Sequence, residues 1–206
     1  MNIFIIYCHP SKKSFTHEIY RQLLKRLQNT AHHIIISDLY QMNFQSDMSE
    51  SEYEREGFAR TERPLPQDVI TEQEKIEQSD CMIFIYPVWW SDCPAKLKGW
   101  FDRVYSVGYA YGYDSKRMRQ ISMRQQKAGL VLCTAGHPND FLEEIGIAES
   151  MRKVMLDDRL GQRFVNKEMI IFGGTTDIEK VKEQHLSRAF ATGLNIDQFL
   201  PEAAKI

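Results

Sequence analysis

A chain of 206 residues, 43% of them hydrophobic and 11% aromatic, can bury a sizeable core as one domain over 1–206, with room for one elaborated loop. Its formal charge of -2 offers no general attraction to nucleic acid or to an anionic membrane, and the longest basic stretch, KRMRQISMRQQK at 116–127, is short and interrupted. No apolar run approaches the roughly 20 residues of a membrane span, and MNIFIIYCHP is too short and too little basic for a signal segment, so a cytoplasmic protein without membrane insertion is expected.

The first apolar run, IFIIY at 3–7, leads into the loop HPSKKSFT (His9–Thr16) and a segment with Ile19, Leu23 and Leu27 at helical spacing. HIIIS at 33–37 follows. The connection 38–63 is longer than an ordinary strand-to-helix loop, and its SESEYEREGFARTER is expected as an exposed helix or a lid. A polar helix after Pro66 carries Ile70, Glu74 and Ile76, and CMIFIY at 81–86 comes next. Then PVWWSDCP runs into a helix with Leu97, Trp100, Phe101 and Val104 at i, i+3, i+4 and i+7, and the aromatic segment GYAYGYD at 108–114. GLVLCT at 129–134 precedes the loop TAGHPNDF and a helix from Asp140 to about Arg159; EMIIFG at 168–173 precedes a last helix from Asp177 to about Thr192.

The five short runs are rich in Ile and Val and apolar on both faces, as strands covered on two sides must be. Their alternation with helices predicts an α/β fold: a doubly wound, five-stranded parallel sheet with helices on both faces, in the flavodoxin-like order 2-1-3-4-5. In that order a ligand crevice lies beyond the carboxyl ends of strands 1 and 3, with the loop after strand 4 alongside.

Three loops therefore carry the candidate chemistry. HPSKKSFT has neither a G-x-G-x-x-G nor a Walker lysine pattern, which sets aside a dinucleotide-type Rossmann site and a P-loop. Ser14 and Thr16 offer hydroxyls and the helix start offers N–H groups to an anion; alternatively Thr16 only caps the helix and His9 is a solvated loop residue. The adjacent Trp89 and Trp90, after Pro87 and Val88, suit a flat heteroaromatic that buries against indole faces and hydrogen-bonds to backbone at its edge; one of the two could instead plug the core. In the third loop Thr134, Ala135 and Gly136 present N–H groups, and His137 offers an imidazole to a ligand or is a plain surface histidine. Tyr109, Tyr111 and Tyr113 line a pocket for a flat substrate, a subunit interface, or both. Cys8, Cys81, Cys93 and Cys133 have no CxxC or zinc spacing and read as small buried hydrophobes, with Cys93 alone in a loop of interest.

HPSKKSFT, SDLYQMNFQSDMS (Ser37–Ser49), PVWWSDCPAKLKGWFDRVY (Pro87–Tyr105) and YAYGY (Tyr109–Tyr113) together resemble the flavodoxin-like NAD(P)H:quinone oxidoreductases, the DT-diaphorase group and its bacterial relatives, over about the first two-thirds of the chain. The resemblance implies a bound flavin, FAD with FMN as the alternative, reduced by NAD(P)H and reoxidised by a quinone-like acceptor in ping-pong alternation. By position, His9, Ser14, Phe15 and Thr16 would hold its phosphates. Pro87, Val88, Trp89 and Trp90 would edge the ring, and Thr134, Ala135 and Gly136 its pyrimidine side. Tyr111 and Tyr113 would reach across a homodimer interface to cover the substrate, with His137 nearby.

The likeness is broken in places. A stretch of two threonines and two glycines in the family is CTAG here; the Tyr and His of DT-diaphorase that take up charge align with Phe141 and Ile147. Ser91, followed by Asp92, stands where the family commonly has a large apolar residue, which predicts a more open, more polar pocket. Two other readings accompany the reductase: a regulatory flavoprotein subunit with a potassium-efflux channel as membrane partner, and a flavodoxin-type electron carrier, whose usual acidic character this chain lacks.

Overall fold

The computed structural model describes residues 1–112 and 121–200. Its five strands, β1 (Asn2–Tyr7), β2 (His33–Asp38), β3 (Cys81–Pro87), β4 (Gln126–Thr134) and β5 (Phe164–Phe172), form one parallel sheet in the order β2-β1-β3-β4-β5, as the alternation predicts. Every residue of β3 is buried, whereas β2 and β5 at the edges carry exposed positions. The burial follows position in the sheet: central strands are covered on both faces and edge strands are not. β4 and β5 begin earlier than the apolar runs indicate because their first halves hold polar residues such as Gln126, Lys127, Asn166 and Lys167.

Side chains alternate between two cores. Ile3, Ile5, Ile83, Ile85, Leu130 and Leu132 face α1 (Phe15–Leu27) and α7 (Ile178–Leu194). Phe4, Ile6, Met82, Phe84 and Val131 face α3 (Gln67–Gln78), α4 (Ala95–Val104) and the segment after β4. The expected stripe Ile19, Leu23 and Leu27 is fully buried, each side chain contributing about 1.5–3 kcal/mol of transfer free energy.

The helix expected from Asp140 to Arg159 is broken. α5 (Asn139–Glu144) ends before Gly146, whose φ of 74° no L side chain adopts cheaply, and α6 (Ile147–Arg152) runs into a π-helix, Lys153–Leu160.

The long connection after β2 contains α2 (Glu50–Gly57), started by a capping box of Ser49 and Glu52. It is not a free lid. Arg103 of α4, with its side chain 3% exposed, donates to Glu52 Oε1 at 2.6 Å, Asp68 Oδ2 at 2.6 Å and the Gln45 carbonyl at 2.6 Å. One guanidinium thus ties α2 and α3 to α4. Nearby, the fully buried Glu72 accepts from Trp100 Nε1 at 2.8 Å, Ser37 Oγ at 2.9 Å and Lys75 Nζ at 2.6 Å.

Candidate functional site

The sheet register sets Tyr7 beside Ile85 and Pro87 beside Thr134, so the loops after β1, β3 and β4 leave the sheet side by side. They are stitched together. Val88 N donates to the Thr134 carbonyl at 2.8 Å, and the buried hydroxyls of Thr16 and Thr134 lie 2.7 Å apart.

In the first loop Ser14, not Thr16, is the N-cap: its hydroxyl accepts from His17 N at 3.1 Å. α1 therefore begins at Phe15, and the amides of Phe15 and Thr16 have no acceptor among the described residues. Free N–H groups at the positive end of a helix dipole suit an anion. His9 Nδ1 accepts from Ser11 N at 2.9 Å, which places the proton of the neutral ring on Nε2 as a donor. Burial holds the His9 imidazole below its ordinary value, favouring that neutral form.

The second loop is a two-residue hairpin. Trp89 N donates to the Asp92 carbonyl at 2.9 Å and Asp92 N to the Trp89 carbonyl at 3.2 Å, with φ of 50° at Trp90 and 63° at Ser91. Positive φ at both central positions defines a type I′ turn, normally built from Asn and Gly; a non-glycine residue there stores about 1–3 kcal/mol. Neither indole plugs the core. Trp89 is 43% exposed, with its ring 6.3 Å from His9, and Trp90 is 101% exposed. Asp92 is tied down: Arg159 of the π-helix grips it at 2.6 and 2.8 Å. The added polarity expected of Asp92 is thus spent in that ion pair. Burial would raise the Asp92 carboxyl, but the Arg159 guanidinium and the Cys93 amide outweigh it and hold the group below its ordinary range.

In the third loop the Ala135 amide donates to the Phe172 carbonyl at 3.0 Å, and Thr134 is committed to Val88 and Thr16. Gly136 and His137 keep unbonded amides among the described residues. His137 is exposed, its ring 4.9 Å from Phe141.

The aromatic segment divides. Tyr109 folds back, its hydroxyl donating to Glu77 of α3 at 2.8 Å, while Tyr111, 42% exposed, donates to Glu56 of α2 at 3.0 Å. Tyr113 lies outside the described residues. Sequence reasoning missed Glu56, which also accepts the Val107 amide at 2.6 Å and pairs with Arg55 at 2.6 Å. It missed Arg159 as well. Both anchors sit far along the chain from the residues they hold, and no local spacing marks such partners.

All four cysteines are free and buried, and burial pushes the Cys8, Cys81 and Cys93 thiols up to about 12. Among the described residues no helix is long and apolar enough to cross a membrane, and no cluster of His, Cys, Asp and Glu could hold a metal ion.

Residues 1–191 match the family model described as flavodoxin-like fold. An NAD(P)H:quinone oxidoreductase from Methanothermobacter marburgensis superimposes with a TM-score of 0.86 at 46% identity, covering 96% of this chain and 97% of that one. An uncharacterized NAD(P)H oxidoreductase of Haemophilus influenzae is 30% identical over 84% of each chain. NAD(P)H dehydrogenase [quinone] 1 of Cavia porcellus is 32% identical over 73% of this chain. The chain spans about half the length of two of its curated relatives, 46% of one and 59% of the other. Fold, loop positions and these likenesses agree: the chain belongs to the flavodoxin-like family that includes the NAD(P)H:quinone oxidoreductases.

Proposed function

We propose that this chain is a flavin-dependent oxidoreductase, one flavodoxin-like domain over 1–206, that uses NAD(P)H and a quinone-like acceptor in alternation. The reading rests on the convergence of donors at the ends of β1, β3 and β4. Unbonded amides of Phe15, Thr16 and Gly136 sit on the loops that leave the sheet side by side, with the exposed Trp89 and the Nε2 donor of neutral His9 on the same loops. Such a set fits a phosphate at one end and the carbonyl edge of a planar ring system at the other. The flavin, when bound, supplies two-electron hydride exchange with both substrates at one ring face.

The chain's own residues bind and orient. The α1 amides and His9 would hold the phosphates, with Ser14, whose hydroxyl donates to the Ser11 carbonyl at 2.9 Å and accepts from His17 N, capping the helix that presents them; Pro87, Val88, Trp89 and Trp90 would edge the ring, and Gly136, with Thr134 and Ala135 behind it, would stabilise charge at the pyrimidine side. Tyr111, from the partner copy of a homodimer, and His137 would face the substrate. FAD is favoured over FMN because a cavity of about 500 Å³ is lined by Pro138, Asn139, Thr176, Lys180, Arg188 and His185, and the His185 ring lies 6.1 Å from Phe15 at the start of α1. A homodimer is the proposed active form, supported by two large aromatics, Trp90 and Tyr111, left uncovered on one copy.

The test is the visible spectrum of the purified protein before and after anaerobic NADPH, with release and identification of the flavin. Flavin bands that bleach and return on adding menadione support the assignment, and recovery of FMN would replace FAD. A colourless protein that binds neither flavin refutes it. Sedimentation of a monomer with full activity would remove the homodimer.

A further inference from the structure

We infer that Arg159 is a positioning residue for the tryptophan turn: its grip on Asp92, delivered by the π-helix, keeps Trp90 and Ser91 in a backbone conformation that they would otherwise leave. The inference rests on the flavin reading for its functional meaning, but its structural part stands without it. Beyond its own pair of backbone hydrogen bonds between Trp89 and Asp92, the turn has little to hold it. Trp90 is wholly exposed, so no packing fixes its backbone, and both central residues have positive φ without being Gly, Asn or Asp. Support must therefore come from the two ends. One end is the Val88 to Thr134 hydrogen bond. The other is Asp92, whose Oδ1 accepts from its neighbour Cys93 N at 2.6 Å and from Arg159 Nη1 at 2.6 Å, while Oδ2 accepts from Arg159 Nη2 at 2.8 Å.

Arg159 is itself well braced. Its side chain is 8% exposed, its guanidinium carbon lies 5.3 Å from the centre of the Phe101 ring, and Nη1 reaches Cys93 Sγ at 3.4 Å. A two-pronged, planar grip fixes orientation as well as distance, which a lysine would not do. The π-helix Lys153–Leu160 that carries it closes with Gly161 N donating to the Leu156 carbonyl. Wide turns of this kind are rare and recur where a side chain must be aimed. In this chain Arg159 is what that turn aims at Asp92.

The experiment combines Arg159→Met with Ser91→Gly. Glycine accepts positive φ without strain, so Ser91→Gly should let the turn form unaided. Protein labelled with 5-fluorotryptophan, free of flavin, gives one ¹⁹F line for each of Trp89, Trp90 and Trp100. Arg159→Met is expected to shift or broaden the Trp89 and Trp90 lines and leave that of Trp100, and Ser91→Gly in the same chain should return them. Affinity for FAD or FMN, read by flavin fluorescence quenching, should fall at least tenfold in Arg159→Met and recover to within threefold in the double variant. Should Arg159→Met fail to fold, Asp92→Asn, which puts an amide N–H₂ against Nη2 at a half-exposed position, should shift or broaden the Trp89 and Trp90 lines in its place and leave that of Trp100. Unmoved Trp89 and Trp90 lines in a folded variant, or lines and affinity that Ser91→Gly does not restore, overturn the inference. Should the parent protein bind neither flavin, the proposed function falls, and the ¹⁹F lines still decide whether Arg159 holds the turn.

Discussion

The hydroxyl pair Thr16 and Thr134 joins the start of α1 to the end of β4, the two loops that would hold opposite ends of a flavin. The oxygens lie 2.7 Å apart, and both residues are buried. Replacing Thr16 by the isosteric Val keeps the shape and removes one partner. The cost is the net hydrogen bond, about 1 kcal/mol, plus the desolvation of the hydroxyl left behind, about 1–3 kcal/mol. The reverse substitution, Thr134→Val, should cost a similar amount. In the double variant no hydroxyl is stranded, and it should lie within about 1 kcal/mol of the parent. Urea unfolding of the four proteins without flavin measures the coupling. In thermal scans each single change should lower Tm by about 4–16 °C, since a chain of this size loses about 2–4 °C per kcal/mol. A double variant whose loss equals the sum of the singles would show that the pair does not act as a unit and would refute the reasoning.

Arg103→Met should be among the costliest single changes, about 3–5 kcal/mol, because it strands the carboxylates of Glu52 and Asp68; a loss below 1 kcal/mol in urea would contradict the buried network. Acid stability should depend on Glu52. Burial raises its carboxyl, but the Ser49 hydroxyl and amide and the Arg103 guanidinium outweigh this and hold it below its ordinary value of 4.5. Stability from a depressed carboxyl is complete above that value and is lost as pH falls through the folded-state pKa, so Glu52→Gln should flatten the fall of Tm below about pH 4.5, and an unchanged slope would count against it. The buried thiols should resist a disulfide reagent at pH 8 and all react in urea; rapid native labelling would show that one is reachable. Glu56→Ala should free Tyr111 and the Val107 amide, raising KM for a quinone several-fold with flavin affinity unchanged; equal loss of both would place Glu56 in flavin binding instead.

The strand order was legible because central parallel strands must be apolar on both faces, and runs such as CMIFIY have no other comfortable home. The apolar stripes of α1 and α4 were legible for the same reason. Where polar residues begin an edge strand, as at Phe164–Lys167, hydropathy starts too late. The break at Gly146 and the π-helix escaped a periodicity argument, since apolar residues continue through both. In the site, the loops were found from topology and the indoles from composition. The commitment of Ala135 N to Phe172, the cap at Ser14 and the turn of Asp92 toward Arg159 depend on how neighbouring strands and helices meet, which spacing along one segment does not encode.

The harness formed by Arg103 and Arg55 has a kinetic meaning. Arg103 of α4 pairs with Glu52 of α2 and with Asp68 of α3, and Glu56 passes the tether on to Val107 and Tyr111, so these parts should open together or not at all. In amide hydrogen exchange the α2 segment should behave as one cooperative unit with α3 and α4, more slowly than a surface helix of eight residues would by itself. Access to the crevice would then be set by the breathing of a whole layer, and a molecule waiting at the rim would meet a wall with a long-lived shape instead of a flap.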